Sequence, residues 1–366
     1  MSTETMRPRD RFNAAFRHEE ADRVPIFECI ANSKLFHHYI GKDNFYSDGE
    51  PHVELARAIG LDSALVHSGG YTSLIHRHHN WTGENEFIDE FGVPHVVSPA
   101  SWPLAMATGH GFSTREEWEK MPRPEPLADW RFENVKSAIA AAHRGKDDDL
   151  AVVAGVRGAF TVMFIGMGFD NMALTVYDDP DLLREMSAYF TDFWIKIAVR
   201  NVELGADAIF IANDMGFNTN TLLAPDTMRD IFLPDLKRQV DAIHAAGGKA
   251  LLHSCGCVNP ILGDLVDTGI DALNDIQRAA GMDIAQIKRD YGDRLTLVGN
   301  VDATHVMTTK NPEEIDEAVK EVLRVAGHGG GLLIASDHSL HGSVPIENID
   351  RFVAAAKKYG KYPLAI

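Results

Sequence analysis

A histidine and a cysteine stand two residues apart at the end of a short apolar run. Residues 251–257 read Leu-Leu-His-Ser-Cys-Gly-Cys, and side chains on a strand repeat every second residue, so His253 and Cys255 point to the same side. An imidazole and a thiolate together suit zinc better than a hard cation, and ligands at a strand end leave a coordination position open for substrate. The alternative is a small apolar cysteine and a hydrogen-bonded histidine that end a buried strand.

The elements that must position this pair follow a repeating pattern. Short apolar, β-branched runs alternate with amphipathic helical stretches, which is typical of parallel βα units. The predicted strands are residues 23–30, 63–67, 150–156, 207–212, 249–253, 272–277, 295–302 and 332–336. The predicted helices are residues 9–17, 53–59, 132–143, 181–204, 225–246, 260–268, 283–290, 312–326 and 347–359. Eight strands with helical crossovers predict an α/β fold, a (β/α)8 TIM barrel with an N-terminal helical extension, formed as a single domain by residues 1–366.

Polar side chains recur at the carboxyl ends of the predicted strands, where a (β/α)8 barrel places its chemistry. They are Glu28, His67, Arg157, Asn213, Asp214, His253, Cys255, Gln277, Asn300, Asp302, Asp337 and His338. A purely structural barrel has no need of so many polar groups at one mouth. Their convergence favours a zinc site at His253 and Cys255 over a packed strand end.

Residues 74–102 interrupt the regular order. Polar and apolar residues alternate there around a turn at residues 81–85, which predicts a β-hairpin excursion after strand two. We expect this excursion to be a lid or a subunit contact, the latter in a homodimer. Its histidines, at positions 76, 78 and 79, either form a metal cluster or, as is more common, are exposed residues of a hairpin.

Methionine and phenylalanine are concentrated in residues 160–169. Such a segment usually packs in a core. Because methionine adapts to irregular shapes, the same segment could instead form the apolar wall of a ligand pocket, with Phe164 as a substrate contact.

Composition excludes several classes of function. The 366-residue chain has a formal net charge of −18, which argues against nucleic acid or an anionic membrane as the main partner. The first ten residues contain no apolar signal core, and no window reaches the roughly 18 apolar residues of a membrane span, so we expect a cytoplasmic protein. Residues 146–149 read as a solvated charge run. Three cysteines in a chain of this length do not form a disulfide framework.

Several longer stretches carry a resemblance to a known family. They are residues 213–220 (Asn-Asp-Met-Gly-Phe-Asn-Thr-Asn), 253–256 (His-Ser-Cys-Gly), 298–302 (Val-Gly-Asn-Val-Asp) and a segment from Gly329-Gly330-Gly331 through Ser336-Asp337-His338-Ser339 to residues 345–349. Together they resemble the uroporphyrinogen decarboxylase superfamily, specifically the methyltransferase branch that serves corrinoid proteins and thiol acceptors. The resemblance extends over about residues 9–359.

The resemblance implies a zinc ion held by a His-x-Cys pair and by a later cysteine near strand eight. This chain supplies the pair as His253 and Cys255, but no cysteine follows Cys257, and the matching neighbourhood offers Asp337 and His338. Imidazole is an ordinary zinc ligand. We therefore expect His253, Cys255 and His338 to bind Zn²⁺.

The resemblance also separates this chain from the true decarboxylases of the superfamily. Those enzymes carry an arginine-rich segment near strand one that grips the porphyrin carboxylates. The corresponding residues here, 27–33, contain no arginine. We therefore do not expect decarboxylation of a porphyrinogen.

The function that these features imply is that of a zinc-dependent methyltransferase, which moves a methyl group between a small methylated donor and a corrinoid protein or a thiol. Zinc as a Lewis acid would activate a thiol or polarise the heteroatom of the donor, and a corrinoid on a partner protein would accept the methyl group. Candidate outer ligands or proton donors are Glu28, Asp214 and Asp302, and Glu28 is also the alternative or fourth zinc ligand. Candidate substrate contacts are His67, Arg157, Phe164, Met215, Asn218 and Gln277.

Two other functions remain open from the sequence. One is a decarboxylase of a small carboxylic acid, with Asp214 and His338 as acid and base and Arg157 binding the carboxylate. The other is a non-catalytic corrinoid-binding or scaffold protein, which would not require so many polar strand ends. A metal assay separates the methyltransferase from the decarboxylase, and turnover of any methyl donor separates both from a binding protein.

Overall fold

The computed structural model describes residues 5–98, 100–145 and 149–366. Residues 1–4 of the N-terminal segment, residue 99 of the predicted excursion and residues 146–148 of the predicted charge run lie outside the described residues. The strands of the described part are β1 (Ile30–Ala31), β2 (Ser63–His67), β3 (Asn80–Trp81), β4 (Glu86–Ile88), β5 (Pro94–Val96), β6 (Met106–Ala107), β7 (Ala151–Arg157), β8 (Ala208–Ala212), β9 (Ala250–His253), β10 (Ala272–Asn274), β11 (Thr296–Val301), β12 (Leu332–Ser336) and β13 (Leu340–His341).

The helices lie mainly between the strands of the barrel. They are α1 (Pro8–Phe16), α2 (Lys34–Ile40), α3 (Gly49–Ile59), α4 (Arg115–Lys120), α5 (Glu133–Ala142), α6 (Ala159–Met167), α7 (Phe169–Asp178), α8 (Pro180–Leu204), α9 (Pro225–Thr227), α10 (Leu233–Ala245), α11 (Leu262–Asp267), α12 (Ile284–Tyr291), α13 (Pro312–Val322) and α14 (Ile346–Tyr359). Short 3₁₀ turns occur at Asp129–Phe132, Asn259–Ile261 and Arg278–Ala280, and π-helical turns at Met228–Phe232 and Leu323–Gly327.

A curled parallel sheet forms the barrel. Seven strands hydrogen-bond in the order β12-β11-β10-β9-β8-β7-β2, and residues 25–27 lie between the two edges of that sheet. On the β12 edge, Phe27 N–H donates to Ile334 O over 3.1 Å, and on the β2 edge Asp62 N–H donates to Ile26 O over 2.9 Å. The predicted (β/α)8 barrel is therefore confirmed.

Predicted strand one differs from the continuous strand expected over residues 23–30. Pro25 has no N–H to donate to a ladder, and Ile26 forms only a single parallel bridge to Ile334. The chain then pairs a second time, when Ile30 of β1 lies opposite Leu340 of β13. In place of a continuous strand one, the barrel thus has a short extended segment at residues 25–27, followed by the separate two-residue pairing of β1 with β13.

The long helix α8 shows how local sequence sets an element of the outer ring. It begins at Pro180, where the missing N–H costs nothing, and the Asp179 side chain accepts a hydrogen bond from Leu182 N–H. It ends at Gly205, whose φ of 105° favours glycine. Trp194 on its inner face is fully buried, so the helix is held by packing as well as by its caps.

The excursion after β2 is larger than the predicted hairpin. The strands β3, β4, β5 and β6 form an antiparallel sheet in that order, and the predicted turn at residues 81–85 joins β3 to β4. Its histidines pack against aromatic rings: His79 stacks on Phe87 with ring centroids 4.2 Å apart, and His78 stacks on Trp130 at 4.8 Å. His76 is buried, and the described histidines of the excursion do not group into a metal site.

Within the described residues, no single helix is long and apolar enough to cross a bilayer. The helices α6 and α7 together meet the criterion by length and composition alone, with a bend of 105° between them.

A buried carboxylate ties the amino-terminal end of the barrel together. Asp62, which directly precedes β2, is fully buried and lies 2.7 Å from Arg23 Nη1. It also pairs with Arg11 of α1 and accepts a hydrogen bond from Ile26 N–H over 2.7 Å. The Asp62 side chain therefore links α1, the segment before β2 and residues 25–27, which close the barrel.

We predict that Asp62→Ala lowers the free energy of unfolding by about 3–5 kcal/mol, because it removes the buried carboxylate that pairs with both Arg11 and Arg23. Urea denaturation followed by circular dichroism measures the change. The control is Asp241→Ala, whose exposed pair with Lys237 is worth less than about 1 kcal/mol. Equal effects of the two substitutions would contradict the assigned role of Asp62.

Candidate metal centre

His253 is the last residue of β9 and is oriented by its neighbour on β10. Asn274 is its register partner, and Asn274 Oδ1 lies 2.7 Å from His253 Nδ1. Because an amide oxygen only accepts, Nδ1 carries the hydrogen, and Nε2 has the lone pair when the ring is neutral. This is the arrangement that a metal-binding imidazole requires.

Cys255 follows in a loop whose path is fixed by close backbone contact. Gly256 has a φ of 79°, and a Cβ there would lie 2.5 Å from the carbonyl carbon of Gly216. The loop is held further by Cys255 N–H, which donates to Asp214 Oδ1 over 3.1 Å, and by Gly256 N–H, which donates to Gln277 Oε1 over 2.9 Å. The thiol is thereby returned to the same side as His253, as the sequence predicts.

Two imidazole nitrogens flank the thiol. Cys255 Sγ lies 3.6 Å from His253 Nε2 and 3.5 Å from His338 Nε2. The other nitrogen of His338, Nδ1, lies 3.0 Å from Ser339 Oγ. The residue chosen from the sequence to replace the missing third cysteine therefore contacts Cys255 directly.

Carboxylates complete the cluster on both sides of Cys255. Asp214 Oδ1 lies 3.4 Å from His253 Nε2, and the Cys255 thiol donates to Asp275 Oδ2 over 3.2 Å. The donor atoms form two groups, one of Asp214, His253 and Cys255 and one of Cys255, Asp275 and His338. His253 and His338 thus each lie beside Cys255, but they belong to different groups.

Asp275 is the functional residue that the sequence analysis missed. Its backbone has a φ of 64°, a left-handed conformation that ends β10 at Asn274 instead of at the predicted residue 277. The side chain is 1% exposed, and its Oδ1 has no hydrogen-bond partner. In the sequence, the Asn-Asp pair directly after an apolar run is a signal for a polar strand end. The predicted strand continued to residue 277, which placed Gln277 at the strand end instead.

The electrostatics of the cluster favour the protonated thiol when no cation is bound. Burial, and then the Asp214 and Asp275 carboxylates, raise the pKa of Cys255 well above its usual value. Burial lowers the pKa of His253, but the same carboxylates outweigh it and raise that pKa overall. A bound dication would reverse the preference at the thiol, because it replaces the proton as the positive partner.

The donor set fits zinc. Two imidazoles and a thiolate are the ligands of many zinc sites, and the spare carboxylates are acceptable oxygen ligands. With bond lengths typical of tetrahedral zinc, a thiolate sulfur and an imidazole nitrogen stand about 3.5 Å apart, close to the separations of 3.5 and 3.6 Å around Cys255 Sγ. Asp275 Oδ1 accepts no hydrogen bond and lies 3.7 Å from His253 Nδ1, so it is a further oxygen donor beside the cluster.

A small cavity opens beside the cluster at the mouth of the barrel. Its volume is about 220 Å³, roughly the space of seven water molecules at about 30 Å³ each. Its lining includes Cys29, Ile30, Ala31, Leu65, His67, Tyr71, Pro103, Leu104, Arg157, Phe210, Ala212, Asp214, His253, Cys255, His338 and Ser339. His67 and Arg157, which the sequence predicts as substrate contacts, both line this cavity. Burial lowers the pKa of His67 to about 3, so its ring is neutral.

Glu28 and Gln277 hydrogen-bond to segments of the chain that adjoin the cluster. Glu28 is buried, and its two carboxyl oxygens lie 2.8 and 2.7 Å from the N–H and the hydroxyl of Ser336. Burial raises the pKa of Glu28 to about 8, so the carboxyl group is largely protonated at neutral pH. Gln277 holds the Cys255 loop and does not line the cavity. Gln277 thus positions the loop of Cys255, and Glu28 fixes Ser336, which lies two residues before His338.

The remaining predicted site residues lie away from the cavity. Asp302 accepts hydrogen bonds from the N–H groups of Thr304 and His305, at 2.8 and 2.6 Å, and so caps a turn. Phe164 lies on α6, where its ring contacts Phe169. Met215 is fully buried, and Asn218 is exposed in a loop. Helix and loop geometry turn these side chains elsewhere, although they stand near strand ends in the sequence.

Comparison with known proteins places the chain in a family. The profile described as "Uroporphyrinogen decarboxylase (URO-D)" matches residues 107–359, which is more than half of the chain. The chain belongs to the uroporphyrinogen decarboxylase family. The matched part contains Arg157, Asp214, His253, Cys255 and His338.

Relatives within the uroporphyrinogen decarboxylase family have two different activities. The methylcobamide:CoM methyltransferase MtaA of Methanosarcina barkeri is 29% identical over 229 residues, which cover 63% of this chain and 64% of that protein. The uroporphyrinogen decarboxylase of Chlorobaculum tepidum is 29% identical over 225 residues, which cover 59% and 60%. The chain thus spans less than two thirds of the length of these relatives. The two identities are equal, so the chemistry of the site has to distinguish the activities.

A solved structure extends the comparison of the fold to nearly the whole chain. The structure described as a methyltransferase from Methanosarcina mazei has a TM-score of 0.77 and 24% sequence identity, and the match covers 97% of this chain and 99% of that one. The likeness shows that this member of the uroporphyrinogen decarboxylase family shares the TIM-barrel-like fold of that protein.

We predict that Asp275→Asn speeds the alkylation of Cys255 in metal-free protein. Removing a carboxylate beside the thiol lowers the pKa of Cys255, and each unit raises the thiolate fraction about tenfold. Iodoacetamide labelling at pH 8, resolved by peptide mass spectrometry, measures the rate at Cys255 alone. Asp302→Asn is the matched control and should leave that rate unchanged. An unaltered rate in Asp275→Asn would contradict the placement of Asp275.

Proposed function

We propose that this protein is a zinc-dependent methyltransferase that moves a methyl group between a small methylated molecule and a corrinoid protein or a thiol. The observation that carries the proposal is the Cys255 sulfur flanked by His253 Nε2 and His338 Nε2 at 3.6 and 3.5 Å. His253, Cys255 and His338 would hold the ion, with Asp214 or Asp275 as further oxygen donors. When bound, zinc supplies Lewis-acid stabilisation of negative charge on a thiol or on a donor heteroatom.

The residues of the chain itself prepare the site for such a transfer. Asn274 fixes the tautomer of His253, and Gln277 and Asp214 hold the loop that carries Cys255. The apolar cavity beside the cluster excludes bulk water from the place where a methylated heteroatom would lie. Asp214 lines this cavity and is placed to give a proton to a leaving heteroatom or to take one from a thiol.

The size and charge of the cavity argue against a porphyrinogen as substrate. About 220 Å³ accommodates a small molecule and not a tetrapyrrole. Residues 27–33 pass along the cavity without an arginine, so the grip on several porphyrin carboxylates is absent from this segment. The name of the relative MtaA, a methylcobamide:CoM methyltransferase, supports transfer involving a corrinoid and a thiol. The corrinoid would reach the cavity at the barrel mouth on a partner protein.

Decarboxylation of a small acid remains the second candidate, because relatives of equal identity are decarboxylases. In that case Asp214 and His338 would act as acid and base at the same cavity, without metal. The distances of both residues to the Cys255–His253 pair favour ligation over this role. Metal content separates the two candidates.

We predict that the purified protein contains about one zinc per chain, since one three-ligand site is expected of a catalytic zinc. Cys255→Ser should lose most of the zinc and the activity. Cys257→Ser is the matched control and should keep both, because Cys257 is buried and its N–H pairs with Phe217 O over 2.6 Å, outside the donor groups. Elemental analysis and chelator competition measure the metal. A native protein that neither holds nor takes up zinc would sink the metal interpretation, and the reverse order of the two variants would overturn the ligand assignment.

We also predict that His338→Ala weakens zinc binding, whereas His338→Cys restores it, because a thiolate at this position is an equally good zinc ligand. Chelator competition measures both affinities, and methyl transfer to a reduced free corrinoid is followed by its spectrum. If His338→Ala keeps full zinc but loses turnover, the imidazole serves substrate or proton transfer, and the decarboxylase candidate gains support.

A further inference from the structure

Arg157, the last residue of β7, places a guanidinium in the wall of the cavity. It is 3% exposed and lies over the Tyr71 ring, 3.9 Å from the ring centroid. Its Nη2 donates to Thr72 O over 2.7 Å and to Ser73 Oγ over 3.0 Å. Ser73 has a φ of 66°, a strained backbone that brings its hydroxyl to this position. The guanidinium is therefore held in one orientation by three consecutive residues.

The charge of Arg157 has no counterion among the described residues. The other buried arginines pair with carboxylates: Arg11 with Asp22 and Asp62, Arg23 with Asp62, and Arg131 with Glu90. Arg157 forms no such pair, its buried Nε has no hydrogen-bond partner, and its Nη1 donates to none of the described residues. A buried cation without a counterion is costly, and a site built around one is suited to an anion that arrives with the ligand.

The cavity connects this cation to the metal centre through apolar side chains. Arg157, Phe210, His253 and Cys255 all line it. The Phe210 ring lies 4.9 Å from the His253 ring, and Leu65 belongs to the same lining. A compact apolar body packed on Phe210 would thus have its anionic end at Arg157 and its reacting atom at the cluster.

We propose that the small molecule which gives or receives the methyl group at this site carries a carboxylate or sulfonate on a short apolar body, and that Arg157 binds this anionic group. The proposal rests on the proposed methyl transfer and names the class of its small substrate. Two sources share this chemistry: a methylated donor acid, such as a methoxybenzoate, and an anionic thiol acceptor, such as a mercaptoalkanesulfonate.

Binding to matched probes tests the proposal. Isothermal titration calorimetry on the zinc-loaded protein compares 4-methoxybenzoate with 4-methoxybenzamide, and 2-mercaptoethanesulfonate with 2-mercaptoethanol. We expect the wild type to bind at least one anion about tenfold or more tightly than its uncharged counterpart, and the pair that shows the preference identifies donor or acceptor. Arg157→Gln should abolish the preference, and Arg157→Lys should keep part of it, because lysine retains the charge without the planar fork.

Zinc content and thermal unfolding are measured alongside, and the control variant is Arg184→Gln on the exposed surface, which should keep the preference. If Arg157→Gln does not fold, the wild-type preference and its reduction in Arg157→Lys decide the question. Absence of a preference for either anion in the wild type, failure to bind any of the anionic probes, or a full preference in Arg157→Gln would overturn the proposal. If the protein prefers the anion but binds no zinc, the anion site at Arg157 is supported and the zinc-dependent methyl transfer is refuted.

Discussion

The hydrogen bond between His253 and Asn274 is the interaction on which the candidate site depends. It joins directly opposed residues of neighbouring parallel strands, over 2.7 Å, so it exists only if the register of β9 against β10 is kept. The bond turns Nε2 of His253 toward Cys255 and makes Nε2 the nitrogen with the lone pair in the neutral ring. A shift of one residue in that register would send both side chains to opposite faces and remove the site. The rest of the barrel therefore serves the site by keeping His253 of β9 opposite Asn274 of β10.

The surroundings of Cys255 show why such a pairing is needed. The thiol lies within reach of two imidazoles and two carboxylates, in a place where burial penalises charge. Carboxylates gathered around a thiol repel its ionised form, so the cluster is poorly arranged for a free thiolate nucleophile. It is well arranged for a shared cation. Close backbone contact between Gly216 and Gly256 fixes the loop that carries this sulfur, 3.5 Å from His338 Nε2.

The sequence predicted the fold and the centre of the site because both depend on simple periodicities. The alternation of apolar runs with helices predicts the barrel, and the two-residue spacing of His253 and Cys255 predicts their common direction. His338 was chosen through the family resemblance, which implies a third ligand near strand eight, where this chain has no cysteine. Beyond a strand end, the pleat no longer fixes direction. For that reason the left-handed turn at Asp275 was missed, and Asp302 was placed at the mouth although its carboxylate caps a turn.

The cavity is assembled from two stretches of chain. The cluster and Arg157 lie within residues 107–359, which match the family, whereas Leu65, Tyr71, Pro103 and Leu104 come from the stretch before residue 107. The last two belong to the excursion and are not part of any barrel strand. Exchanging the excursion for one of different shape would therefore remodel the part of the cavity wall formed by Pro103 and Leu104 and leave the cluster and Arg157 in place. A chimera could thus alter the shape of the cavity while preserving the chemical groups at its base.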